Sequence, residues 1–263
     1  MTARAVTSLT NPTVKAVRAL HLRKERDETG RFVAEGLKAV TEGLETGHAP
    51  RILLHGAEAG EHPLLRDAAA ATLAADGQVI EVTQEILAKV SRRDNPQAVV
   101  GVFEQVFRRL DALEPLSAPC WVALHRVRDP GNLGTIIRTA DAAGLGGVIL
   151  VGECCDPYSV EAVRATMGSI FATPLIRASE REFAAWRGNW PGSVVGALLS
   201  AQTAHNQAAY ARPTLIVMGN EQQGLPPEMA ELCDVNVKIP MRGRADSLNL
   251  SVAAGIMIYA ATA

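Results

Sequence analysis

Four runs from Cys120 onward are apolar at nearly every position: "CWVALHRV", "GGVILVG", "SVVGALL" and "PTLIVMG". A strand with one wet face alternates apolar and polar residues, so a strand apolar throughout must be covered on both faces. Stretches with helical spacing separate these runs, expected over 131–143, 159–167, 180–187 and 227–232. A short extended piece falls near "FATPLI", a further strand at "VNVKIPM" and a last helix over 247–261. Buried strands alternating with helices dictate an α/β fold with a parallel sheet between helical layers.

The first part also alternates. "NPTVKAVRALHLRK" spaces Val14, Val17 and Leu20 as one helix, and "HPLLRDAAAATLAADG" is a helix closed by Gly77. "RFVAEG", "RILLH", "QVIEVT" and "AVVGVFE" read as strands, and "SRRDNPQ" is a polar loop with two adjacent arginines. The charged stretch 108–118, with Pro115 inside it, reads as a linker. We therefore expect a smaller α/β domain over 1–107 and a second domain over 119–263, which suits 263 residues.

Net charge is −2, which gives no whole-chain sign of nucleic acid. Residues 1–40, however, hold eight basic side chains against four acidic ones, an excess of four. Either this is a solvated helix face or a surface for a polyanion. The four cysteines form no C-x-x-C pair, so neither a disulfide framework nor a metal site is expected. No apolar run reaches the ~18 residues of a membrane span, and "MTARAVTSLTNPTVK" lacks a signal-peptide core. A cytoplasmic protein is expected.

Ligands of open parallel sheets bind beyond the carboxyl ends of the strands. Three such ends are unusual. In "LIVMGNEQQGLPPEM", Gly219 and Gly224 bracket a loop that is either an ordinary turn or a place where backbone approaches a ligand. Glu221 there would hold a neighbouring loop or touch the ligand. In "RVRDPGNLGTIIRTADAAG", Asp129 and Pro130 suit a helix start. Gly131 and Gly134 lack the third glycine of a dinucleotide fingerprint, so a nicotinamide oxidoreductase is a poor fit. Arg128 and Arg138 would meet a phosphate or carboxylate, or Arg138 would pair with Asp141. In "IPMRGRADSLNLSVAAGIMIYA", Ser247, Asn249 and Ser251 open an apolar helix. Either Ser247 caps that helix, or the small polar groups line a ligand site.

Together the three segments resemble the SpoU/TrmH family of RNA ribose 2′-O-methyltransferases, within the SPOUT superfamily. Asn132, Gly134 and Arg138 match its first motif, Gly219, Asn220, Glu221, Gly224 and Leu225 its second, and the run from Ile239 to Ser251 its third. The resemblance covers about 119–263. Residues 1–107 resemble, through "FVAEGLKAV" and "SRRDNPQAVVGVF", the L30e-like substrate-binding domain fused to such enzymes. Gln222 and Gln223 depart from the pattern, since relatives often carry a glycine there; cofactor binding is still expected.

The resemblance implies a SPOUT-type parallel sheet with a trefoil knot, a homodimer and S-adenosylmethionine as cofactor, with no metal. It implies catalytic roles for Arg138, Asn132, Glu221, Ser247 and Asn249. Cofactor contacts fall to Leu198, Gly219, Asn220, Gly224, Ile239, Met241 and Leu248. Arg23, Lys24, Arg26, Arg92 and Arg93 would hold RNA phosphates. The implied reaction is methylation of a ribose 2′-hydroxyl in structured RNA, with large-subunit ribosomal RNA favoured. A transfer RNA target and an antibiotic-resistance methylation stand as alternatives, as does a non-catalytic RNA-binding protein of the same fold.

Overall fold

The protein was analysed as a computed structural model, which describes residues 4–60 and 62–263. Residues 1–3, the start of the expected first domain, and Glu61 lie outside the described residues. The chain forms two compact units: Met1–Gln105 with Tyr158–Ala172, and Val106–Pro157 with Thr173–Ala263.

The first unit runs β1 (Arg4–Val6), α1 (Pro12–Ala19), α2 (Arg23–Thr29), β2 (Arg31–Glu35), α3 (Leu37–Glu45) and β3 (Ile52–His55). It continues with α4 (Pro63–Ala74), β4 (Gln78–Val82), α5 (Gln84–Ser91) and β5 (Val99–Glu104). The sheet order is β1-β4-β3-β5-β2, with β5 antiparallel to both its neighbours and the other pairs parallel. One cluster of its core is aliphatic: Val14 and Val17 of α1 pack with Leu54, Ile86 and Val100.

The single helix expected over 11–24 is two. α1 stops at Ala19, and Leu22 takes an extended conformation (φ −89°, ψ 131°) before α2 starts. No glycine or proline marks the break. Arg26 explains it: the side chain is buried, and Nη1 donates to the Leu20 carbonyl at 2.7 Å, satisfying an end group of α1.

The second unit runs β6 (Cys120–His125), α6 (Pro130–Ala142) and β7 (Val148–Val151); α7 (Val160–Thr166) then belongs to the first unit. The second unit resumes with β8 (Leu175–Ala178), α8 (Glu180–Arg187), β9 (Val194–Ala197), β10 (Thr203–Ala204) and β11 (Thr214–Met218). It closes with α9 (Pro227–Ala230), β12 (Val235–Lys238) and α10 (Leu250–Thr262). Its seven strands lie in the order β10-β12-β9-β11-β6-β7-β8, and every pairing is parallel. All carboxyl ends therefore share one edge. The fully buried strands fulfil the expectation from their unbroken apolar runs, and α10 packs on α6, β6 and β11.

The segment Tyr158–Ala172 completes the first unit. Tyr158 packs at a tilt against Phe32 and Phe171 edge-on against Phe103, each pair with centroids 4.6 Å apart. From α7, Arg164 grips Glu35 with two hydrogen bonds, Nη2 to Oε1 at 2.7 Å and Nε to Oε2 at 3.2 Å. The Glu35 side chain is 3% exposed, and Arg93 reaches it only at 3.8 Å. Removing one partner of a buried pair strands the other charge. We therefore expect Arg164→Ala to cost about 3 kcal/mol in chemical denaturation, the low end of what such a deletion does because Arg93 remains. Loss of under about 0.5 kcal/mol, as for a surface change, would show that water replaces the guanidinium.

Candidate active site

β11 ends at Met218, and the chain turns through Gly219–Gly224. Asn220 builds the turn: its Oδ1 accepts from the N–H of Gln222 (3.0 Å) and Gln223 (2.8 Å), and its carbonyl accepts from Gly224 N–H (3.0 Å). Of these residues only Gly224 has a left-handed backbone, φ +68°. Gln222 and Gln223 therefore need no glycine, which is why that departure is tolerated. Gly219 is required for another reason. A Cβ there would lie 1.9 Å from the carbonyl carbon of Gly224, so any side chain breaks the loop itself before it reaches a ligand.

Glu221 projects from this turn onto the start of α6. Its Oε1 accepts from Asp129 N–H (3.1 Å) and Asn132 Nδ2 (3.0 Å), and its Oε2 from Arg128 N–H (3.2 Å). A carboxylate at a helix N-terminus meets unpaired donors and the positive end of the dipole. Asp129 caps the same helix, accepting from Asn132 N–H at 2.7 Å. Burial pushes the Glu221 carboxyl up; the bonds from Asn132, Arg128 and Asp129 outweigh it and hold it below its ordinary value. Glu221 thus holds the neighbouring loop, one of the two roles open from sequence, while also lining the cavity described below.

The third loop joins through Asn132. Its Oδ1 accepts from Asn249 Nδ2 at 2.9 Å. A carboxylate only accepts, so the Asn132 amide nitrogen must face Glu221 and its oxygen must face Asn249. Asn249 in turn caps α10, its Oδ1 accepting from Ser251 N–H (2.9 Å) and Val252 N–H (3.4 Å). Of the two readings of Ser247, the helix cap is not realised: the cap sits two residues later at Asn249, and α10 starts at Leu250. Ser247 instead donates to Asp246 Oδ1 at 2.9 Å.

These loops enclose a cavity of about 610 Å³. All seven expected cofactor residues line it: Leu198, Gly219, Asn220, Gly224, Ile239, Met241 and Leu248. So do Glu221, Ser247 and Asn249. Asn132 is buried behind them as the brace, and Arg138 is absent from the wall. Arg138 is exposed on α6 and makes no hydrogen bond or ion pair with the described residues, so the Asp141 pairing does not form. Sequence reasoning missed Ala197 at the end of β9, Leu199 and Ser200 beyond it, and the charged residues Lys238 and Asp246. The carboxyl end of β9 was the signal for the first three. Cys155 near Glu221 is no nucleophile: burial first, then Cys154 and Glu221, push its thiol up to about 12. Among the described residues no group of three or more His, Cys, Asp or Glu could hold a metal ion, and no helix is long and apolar enough to cross a membrane.

The five basic residues expected to hold RNA differ in state. Arg26 is buried against Leu20 and offers no surface charge, a correction that follows from its hydrogen bond. Arg23 and Lys24 are exposed but lie 3.6 Å from Asp27 and Glu28, one helical turn on. Arg92 and Arg93 are exposed after α5.

A model of the SpoU rRNA methylase family matches residues 119–259, and one of the MRM3-like substrate-binding domain matches 11–101. The 23S rRNA (guanosine(2553)-2′-O)-methyltransferase of Bacillus subtilis is 29% identical, over 97% of both chains. The 23S rRNA (uridine(2479)-2′-O)-methyltransferase of Streptomyces viridochromogenes is 31% identical, over 91% of this chain and 85% of the other. The crystal structure of an AdoMet-bound rRNA methyltransferase from Sinorhizobium meliloti superposes with TM-score 0.92 at 49% identity, over 98% of this chain and 97% of the other.

Glu221 yields a pH prediction. Its folded pKa is depressed, so its stabilisation is full above the unfolded value of ~4.3 and is lost as pH falls through the folded value. The difference in melting temperature between the natural protein and Glu221→Gln should be constant above about pH 5 and shrink on acidification below ~4.3. A difference that grows on acidification would contradict the clamp.

Proposed function

The chain belongs to the SpoU rRNA methylase family, and from that premise we propose that it transfers a methyl group from S-adenosylmethionine to a ribose 2′-hydroxyl of ribosomal RNA, with large-subunit RNA as the target. The observation that carries this is the joining of three motif loops, through Glu221, Asn132 and Asn249, around one cavity. Relatives named for 23S rRNA support the choice of RNA.

The cavity fits the cofactor. Its volume of about 610 Å³ suits a small-molecule site, typically ~300–1,000 Å³. Leu198, Ile239 and Leu248 offer apolar surface for the faces of a purine, and the backbone of Gly219–Gly224 offers polar groups for its edge. Lys238 and Asp246 supply one positive and one negative side chain for an end that carries both carboxylate and ammonium. Bound there, S-adenosylmethionine would supply a methyl group already activated on sulfonium, so positioning carries much of the rate. Threading of the last segment as a trefoil knot belongs to this proposal.

The side chains divide the work. Glu221 and Asn132 brace the loops, and both ends of the Asn132 amide are engaged in doing so. Arg138 is exposed outside the cavity wall, where a polymer rather than a small cofactor reaches. Guanidinium keeps its proton to pKa above ~12, so it acts as a donor to RNA phosphate and to the ribose oxygen as charge builds there, and the hydroxyl proton passes to solvent water as the methyl leaves sulfur for oxygen. Ser247, hydrogen-bonded to Asp246, orients the ribose.

Two experiments test this. Saturating S-adenosylmethionine should raise the melting temperature, and ribosomal RNA should gain 2′-O-methyl groups. Arg138→Ala should lower the single-turnover rate on the order of 10²-fold with cofactor affinity retained. If Arg138→Ala costs only RNA affinity, its catalytic assignment is wrong; if neither cofactor binding nor transfer occurs, so is the function. Assembly is a separate expectation. α10 exposes Val252 and Tyr259, 51% and 56% accessible, on an otherwise apolar helix. A homodimer would cover them, so sedimentation at micromolar concentration should give twice 27.9 kDa, and a monomer alone would exclude it.

A further inference from the structure

The positive excess of residues 1–40 reappears in the first unit as a concave surface. α1 and α5 pack together, and the cleft beside them has a volume of about 700 Å³. Five of its lining residues are basic, Lys15, Arg18, Lys89, Arg92 and Arg93, and Asp94 is its one acid.

The local structure explains why these side chains converge. Lys15 and Arg18 stand three residues apart on α1, so they share a face, while Val14 and Val17 turn to the core. Lys89 lies in the last turn of α5, and Arg92 ends that helix in a left-handed conformation, φ 54°. The dipoles of α1 and α5 favour a cation in their last turns, which accounts for Arg18 and Lys89. It does not account for Lys15 or for the meeting of all four.

Lys15, Arg18, Lys89 and Arg92 are exposed, and their side chains make no hydrogen bond or ion pair with the described residues. This separates them from Arg23 and Lys24, each beside an acid on its own helix. Converging like charges repel, and a polyanion relieves that repulsion. His21 adds a hydrogen-bonding group to the wall. Its Nε2 bonds the Val90 carbonyl at 2.6 Å, so Nε2 carries the proton. Burial, and then Arg92 among its neighbours, lower its pKa, which leaves Nδ1 as an acceptor suited to a ribose hydroxyl. Among the described residues no Phe, Tyr or Trp lines the cleft, so it offers no broad platform on which bases would stack.

The geometry points to this cleft as the track for the phosphodiester backbone of the substrate RNA, held by Lys15, Arg18, Lys89 and Arg92 without reading base sequence. This rests on the reading of the chain as an RNA methyltransferase. It extends the expected Arg92 and Arg93 contacts to α1 and transfers the role of Arg23 and Lys24 to Lys15, Arg18 and Lys89.

The test is binding of a large-subunit ribosomal RNA transcript to the full chain across a series of NaCl concentrations. In the quadruple variant Lys15→Gln/Arg18→Gln/Lys89→Gln/Arg92→Gln, Kd near physiological salt should rise on the order of 10²-fold. The slope of log K against log salt should flatten by roughly 0.7 per lost contact. Titration calorimetry should give the variant the natural affinity for S-adenosylmethionine, which reports an intact second unit, and circular dichroism the natural melting curve. Arg23→Gln/Lys24→Gln should keep the natural RNA affinity. A quadruple variant that binds RNA as the natural protein does overturns the cleft and leaves the proposed function standing. An equal loss in Arg23→Gln/Lys24→Gln also overturns it, because the attraction is then diffuse. A natural protein that binds no ribosomal RNA overturns both.

Discussion

The amide of Asn132, held between a carboxylate and a second amide, is the interaction on which the site depends. It is buried, and its two ends face Glu221 at 3.0 Å and Asn249 at 2.9 Å. Hydrogen bonds to charged groups are worth ~1.5–3 kcal/mol and strengthen where water is excluded. Here the chain of bonds ends on backbone at both sides, on the two residues that lead into α6 through Glu221 and on the first turn of α10 through Asn249. Three loops far apart in sequence thereby share one frame. The cavity is what remains between them, and its shape is set by groups that need not touch a ligand.

Arginine shows how environment rather than residue type decides a role. Arg138 is solvated and unpaired among the described residues, and so is available to a substrate. Arg164 forks onto a buried carboxylate and carries structure. Arg26 is buried and completes a helix end. A charge count treats all three alike, because sequence records the guanidinium and not the partner it finds.

What could be read in advance followed the same division. The unbroken apolar runs located β6, β7, β9 and β11 because burial on both faces leaves no other pattern. Asp129 before Pro130 marked the start of α6 for a local reason, a cap and a fixed φ. The start of α10 was misplaced because Ser247 and Asn249 are both competent caps, and the choice is made by Asn132 from 117 residues away. The break after α1 carried no local mark, since it is completed by a side chain in the next helix. Six of the seven expected cofactor residues lie in the second and third motifs and line the cavity, as does Leu198 outside them, whereas Lys238, Asp246, Leu199 and Ser200 were not expected. The cleft of the first unit was only partly legible, since Lys15 and Lys89 meet through the packing of α1 on α5.

The borrowed segment Tyr158–Ala172 bears on how such a chain can be divided. Polypeptide passes from one unit to the other after Gln105, returns for fifteen residues, and leaves again. A cut at the linker would not release a whole first unit. The severed piece would lack Arg164 over Glu35 and the rings of Tyr158 and Phe171, and would expose their partners to water. The two halves are thus not beads on a string. Exchange of the amino-terminal half for another, whether by recombination or by design, has to carry α7 with it.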